Sequence, residues 1–249
     1  MPATELSVGT EPSAELSELE RERIIRTLEA LPADARTGLE IGFHDFRLTR
    51  VLRQRINLVS TDLIAESPAP QDYRLVRAKL PNLPWCDASF DIVICTEVLE
   101  HLDEGVLPKA VEELQRVARK YVLISVPYKQ RVWNEMSRCL HCDGIVNSMG
   151  HLRYLDGPTL ASLFRGAAVL RKDLIGKVSG YAPDSLYWVA SHLGGAWMPR
   201  VYPHRCPLCG GEPMESRPNP LGWVLQRLIW RWERRASSRP AWILMLFEA

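Results

Sequence analysis

Apolar residues recur along the first half of the chain with two different periods. Between Ala14 and Leu31 they fall at Leu16, Leu19, Ile24, Ile25 and Leu28, the spacing of one helix face, and Pro32 closes the segment. Short apolar runs then alternate with helical stretches. Gly38–Ile41 reads as a strand entering Gly42, Leu48–Arg55 as a helix, and Ile56–Ser60 as a strand that ends near Asp62. Tyr73–Arg77 reads as a third strand. Phe90–Cys95 and Tyr121–Val126 are uniformly apolar strands on either side of an amphipathic helix at Leu107–Arg119, and Pro127 stops the second of them. A helix at 159–164 and a strand at 168–175 continue the rhythm. A helix bearing Trp and Arg at Leu221–Arg235 then precedes a closing strand at 241–247. Strands apolar on both faces, alternating with helices of this length, imply an α/β fold: a mostly parallel sheet with helices on both faces.

Three stretches break the rhythm. Residues 1–14 are small, polar and acidic, and are expected to be disordered. Residues 128–157 carry Cys, His and Gly, and 176–220 are rich in Gly, Pro and Trp. The chain therefore reads as one domain, 15–249, with insertions after Val126 and Ile175. With 31 basic and 30 acidic residues the net charge is +1, which argues against nucleic acid as a partner. The first residues show no export signal and no apolar run reaches membrane-spanning length, so a cytoplasmic location is expected. Under reducing conditions paired cysteines point to metal rather than disulfides.

Four of the six cysteines form two such pairs, Cys139-x-x-Cys142 and Cys206-x-x-Cys209. Each turn directs two thiolates at one point, and two turns complete a tetrahedral sulfur shell suited to zinc. The alternative is a pair of unrelated knuckles or redox dithiols, and His141 or His151 could replace one sulfur. A shell closed by four sulfurs is structural, and here it would staple the two insertions together beside the sheet.

The strand-to-turn segment at Leu39-Glu40-Ile41-Gly42-Phe43-His44 suits a ligand lying against a turn and a helix start, with Asp62 placed for two ribose hydroxyls. Residues 79–102, KLPNLPWCDASFDIVICTEVLEHL, resemble the "LPF-x-D-x-SFD … EVLEHL" segment of class I S-adenosylmethionine (SAM) dependent methyltransferases. The resemblance runs over about 36–175. It implies a Rossmann-like seven-stranded sheet with one antiparallel strand near an edge. It also implies SAM contacts from Glu40, Gly42, Phe43, His44, Asp62, Lys79, Leu80, Thr96 and Glu97. Two positions depart from the family pattern. Only the first glycine of its G-x-G-x-G loop is present, and Lys79 stands where an acid usually faces the adenine.

Glu97, Glu100 and His101 form Glu-x-x-Glu-His after the fourth strand, and His151 follows the fifth. The set resembles the divalent-cation site of O-methyltransferases acting on RNA 3′ ends and on catechols, so Mg²⁺ or a similar ion is one reading. Metal-free relatives carry the same letters, and there His151 or His101 would serve as general base. O-methylation of a hydroxyl on a small molecule or glycan is the expected activity. The alternatives are a non-catalytic relative that uses the zinc region for interaction, and an RNA methyltransferase. Trp133, Tyr154, Tyr181 and Tyr187 are pocket or core candidates. The 221–235 helix either docks on its own domain or lies on a membrane surface.

Overall fold

Ser17 opens the first helix, α1 (Glu18–Glu29), through a capping box in which its hydroxyl accepts from Glu20 N and the Glu20 carboxylate accepts from Ser17 N. This is a computed structural model, and it describes residues 16–43, 46–63, 72–198, 205–211 and 217–249. The expected disordered segment 1–14 and the candidate His44 lie outside the described residues.

The predicted strands are found nearly where the pattern put them. They are β1 (Thr37–Ile41), β2 (Asn57–Asp62), β3 (Leu75–Arg77), β4 (Phe90–Thr96) and β5 (Ala118–Pro127). The helices between them are α2 (Arg47–Leu52) and α3 (Leu107–Val117). After the first insertion come α4 (Gly157–Leu163), capped by Asp156, and the edge strand, which is β8 in chain order (Val169–Ile175). The closing strand is β9 (Trp242–Glu248).

These strands form one seven-stranded sheet in the order β3-β2-β1-β4-β5-β9-β8. Every pairing is parallel except those of β9, which runs antiparallel to both neighbours. One face packs Leu39, Val93, Ile124 and Phe247 against Leu114 of α3 and Phe164 beyond α4; the other packs Ile92, Ile94 and Leu123 against Ala30, Leu28 and Leu52 of α1 and α2. β1 pairs with β2 on one side and β4 on the other, so the strand order reverses there. The carboxyl ends of β1, β2 and β4 consequently border a crevice, the usual ligand position in such sheets.

The insertions contain elements that the pattern did not predict. A short hairpin, β6 (Met136–Arg138) and β7 (Ile145–Asn147), occupies the first. A helix, α5 (Asp184–His192), lies in the second, followed by α6 (Pro220–Glu233).

Candidate active site and metal centre

The rim of the sheet is built by the residues that leave β1 and β4. Gly42 has a φ of 84°, and a Cβ there would run into the Val98 side chain and the Thr96 carbonyl, so the turn requires glycine. Glu40 is fully buried and accepts from Ser60 Oγ at 2.7 Å, tying β1 to β2. Asp62 sits half-buried at the end of β2, Thr96 is buried at the end of β4, and Leu80 is buried while Lys79 is exposed. The turn departs from an open glycine cradle. Phe43 and Phe46 are both buried and stack with ring centroids 4.7 Å apart, with Tyr73 edge-on to Phe46 at 5.5 Å. Phe46 stands where the family pattern has its third glycine.

Glu97 does not share a helical face with Glu100, as the Glu-x-x-Glu-His spacing suggested. Its φ is 56°, outside the short 3-10 turn at Leu99–His101, and its carboxylate turns away. It accepts from Trp242 Nε1 at 2.9 Å and lies 3.8 Å from the Arg23 guanidinium of α1. Burial raises its pKa, opposed by Arg23.

The other three candidates do converge. Side-chain ligand atoms of Glu100, His101 and His151 lie within 4.8 Å of one another, and the two rings meet edge to face at 4.7 Å. His101 Nδ1 faces the Gly150 carbonyl at 3.2 Å, and a carbonyl only accepts, so Nδ1 carries the proton. His151 Nδ1 faces Gln130 Oε1, while Gln130 Nε2 donates to Glu135 at 2.6 Å, which fixes the amide orientation. In both imidazoles Nε2 is therefore the nitrogen that carries no proton. Burial holds both pKa values down, that of His151 at about 4, so the rings are neutral near pH 7. Glu100 is fully buried, and neither of its carboxylate oxygens has a hydrogen-bond partner. Burial first, and the Glu97 charge second, push its pKa well up. Such a group is either protonated or balanced by a cation.

Residues absent from the sequence reading position this set. Asn147 accepts from the backbone N–H of Met149 and of His151, both at 3.0 Å, and donates to the Val132 carbonyl at 2.7 Å. Gln130 and Glu135 set the tautomer of His151. Trp133, Tyr181 and Tyr187 line a cavity of about 290 Å³ that also includes Glu135, whereas Tyr154 does not border it.

The two Cys-x-x-Cys turns face each other with matching geometry. Cys139 N donates to Gly144 O at 2.8 Å and Cys206 N to Gly211 O at 2.9 Å; Asp143 N returns to Cys139 O, and Gly210 N to Cys206 O. Asp143 (φ 55°) and Gly210 (φ 71°) occupy equivalent left-handed positions. Across the pair, Cys139 Sγ lies 3.6 Å from Cys209 Sγ and Cys142 Sγ 3.9 Å from Cys206 Sγ. A tetrahedron with metal–sulfur bonds of about 2.3 Å has edges of about 3.8 Å, whereas a disulfide is about 2.05 Å. The backbone N–H groups of Cys142 and His141 hold the Cys139 thiol down at about 6. Against the Gly211 N–H, the facing sulfurs push Cys209 up to about 12. Four thiols this close cannot all ionise without a cation among them. His141 and His151 are not in the four-sulfur group.

Residues 39–126 match the family model described as a methyltransferase domain. No curated protein matches. Among solved structures, a SAM dependent methyltransferase from Archaeoglobus fulgidus is 14% identical with a TM-score of 0.55, over 93% of this chain and 94% of that one. A putative methyltransferase from Bacillus halodurans is 13% identical with a TM-score of 0.55, over 91% and 96%. These likenesses span more than nine-tenths of the chain. Residues 39–126 thus resemble a methyltransferase domain, and the seven-stranded sheet has the Rossmann-like fold of class I SAM-dependent methyltransferases.

Proposed function

We propose that this methyltransferase-domain chain transfers a methyl group from SAM to a hydroxyl of a small molecule or glycan, and that a zinc ion held by Cys139, Cys142, Cys206 and Cys209 braces the acceptor side of the site. The observation that carries the reading is the convergence of the His101 and His151 rings with the buried Glu100 carboxylate, whose oxygens have no hydrogen-bond partner, at the rim next to β4. SAM supplies an electrophilic methyl on a sulfonium. Gly42 offers a tight turn, Asp62 a carboxylate for ribose hydroxyls, and Glu97 a carboxylate at the adjoining strand end.

His151 Nε2 is the base that removes the acceptor proton. It is neutral above about pH 4, and its Nδ1–H is anchored by Gln130. In place of a histidine base, Glu100, His101 and His151 together would hold a divalent cation such as Mg²⁺, which would lower the pKa of a bound hydroxyl. Glu100 and His151 are both almost wholly covered, which shields them from bulk water.

A second reading, a non-catalytic relative, is favoured by one observation: the stacked Phe43–Phe46 pair at the cofactor turn. Calorimetry with SAM and S-adenosylhomocysteine separates the two. Micromolar binding weakened by Asp62→Ala supports the enzyme, and absence of binding to the zinc-loaded protein removes it. Labelled-SAM transfer across acceptor classes, with and without chelator, then tells a histidine base from a cation-assisted one.

A further inference from the structure

Helix α6 is barely covered by its own domain. Gly222 alone is buried, at a close crossing with Gly194 past the end of α5, and Tyr187 of α5 hydrogen-bonds inward-facing Glu233. Leu225, Gln226 and Ile229 are half-buried on the same side as Glu233, and the other faces present large apolar side chains to solvent. Leu221, Val224, Leu228 and Trp232 fall at i, i+3, i+7 and i+11, one continuous stripe, and Trp223 (59% exposed) and Trp230 (57%) stand on the other side of the helix, across its arginines. Trp188 and Leu193 of the α5 end extend the patch.

Arginines thread through the patch. Arg227, Arg231, Arg234 and Arg235 are exposed, and none is ion-paired with a described carboxylate. Arg234 instead lies over the Trp230 ring at 4.5 Å. The one acid of the helix, Glu233, points inward. The outer face is thus apolar, aromatic and purely cationic on a chain whose net charge is only +1.

We infer that α6 and the end of α5 form a docking surface for an anionic lipid bilayer. Tryptophan and arginine share the headgroup level, where indole rings are half-solvated and guanidinium groups meet phosphate while their stems cover apolar surface. A second copy of the chain fits less well. A two-fold contact sets a patch against itself, and here arginines would meet arginines with no acid between them. The described residues contain no helix long and apolar enough to cross a membrane, so the contact is peripheral. Trp230 and Glu233 of α6 also line the 290 Å³ cavity that includes Glu135. Docking would bring that cavity to the bilayer surface.

Co-sedimentation of the full-length, zinc-loaded protein with vesicles tests this. The probes are phosphatidylcholine alone and phosphatidylcholine mixed equally with phosphatidylglycerol. Binding is expected to the anionic vesicles only, and to weaken with salt. Arg227→Gln with Arg231→Gln should weaken partitioning about 30-fold, from roughly 5-fold per arginine near such a surface. Trp223→Ala with Trp232→Ala should abolish it, with circular dichroism confirming that both variants are folded. Equal binding to neutral vesicles, or binding indifferent to these changes, overturns the proposal. So does a soluble dimer that the same substitutions dissolve, or a monomer that binds no vesicle. None of these outcomes depends on methyl transfer, so the docking surface and the enzymatic reading fail independently.

Discussion

The sheet and the knuckled insertion are two regions of one domain that are held together by different forces. In the sheet, Leu39, Ile92, Ile94, Leu123 and Leu244 are completely covered by one another and by helices on both faces. Around the knuckles the packed apolar residues amount to Cys139, Cys206 and a partly covered Val146. Burial contributes on the order of 25 cal/mol per Å² of apolar surface, so the first region sustains itself and the second does not. If the four sulfurs hold zinc as proposed, the knuckles should depend on it for their order, and losing it should leave the sheet standing.

The largest expected effect breaks this comparison directly. Structural zinc contributes about 10–16 kcal/mol to isolated zinc-finger peptides, far more than any single side chain here. Purified protein should hold about one zinc by mass spectrometric analysis, and Cys142→Ser with Cys206→Ser should lose it. Limited proteolysis should then cut near the hairpin and knuckles while strands β1 to β5 stay protected from amide exchange. A metal-free preparation with undiminished protease resistance would show that the four sulfurs are a reduced cluster and not a zinc site.

The complementary change strikes the sheet and spares the metal. Phe247 is fully buried in β9 and stacks on Phe164 at 4.4 Å. Phe247→Ala should cost about 3–5 kcal/mol in denaturant unfolding, from lost transfer energy plus the cavity left behind. Its zinc content should be unchanged at temperatures where the fold persists.

Between the two regions lies the histidine pair, where strand end and insertion meet. His151→Ala should reduce transfer by about 10²–10⁴-fold, the usual contribution of a positioned general base. Gln130→Leu should cost less, about 10–100-fold, because it frees the tautomer without removing the ring. Its pH profile should shift as well, which a merely structural role would not produce. Wild-type activity from His151 alone should have no limb near pH 6.5, since burial holds that ring neutral down to about pH 4.

The parts of this site that were legible in the sequence follow the same division. Strands covered on both faces must be continuous apolar runs, so β4 and β5 stood out by composition alone, and the two Cys-x-x-Cys pairs are local signatures. The hairpin β6–β7 was not legible because its strands are three residues each. Helix α5 was missed because only Ala190 of it is buried, which leaves little amphipathic trace. The rim was half legible. Spacing suggested Glu97 beside Glu100, but Glu97 takes a left-handed backbone and is claimed by Trp242, 145 residues away, and by Arg23 of α1. Gln130, Glu135 and Asn147 carry no motif at all. Their roles exist only once β5 and the hairpin bring them against His151.

An effect on stability alone is expected at the opposite end of the central strands, away from the rim. Asp91, at the start of β4, accepts from the backbone N–H groups of Arg36 (2.9 Å) and Thr37 (3.0 Å) and from Arg119 Nη1 at 3.0 Å. These hydrogen bonds, led by that of the Arg36 N–H, hold its carboxyl at about 2. A carboxyl depressed in the fold stabilises above its unfolded value, near 3.8, and that contribution is lost as pH falls through about 2. Asp91→Ala strands the donors that join β4 to β1 and should cost about 2–3 kcal/mol at pH 7. The difference from wild type should shrink progressively below pH 4. Zinc content and transfer by the folded variant should match wild type, because Asp91 touches neither the rim nor the knuckles. A variant that lost activity while remaining folded would mean that the two ends of β4 are coupled, and that the sheet is part of the catalytic machinery and not its rigid support.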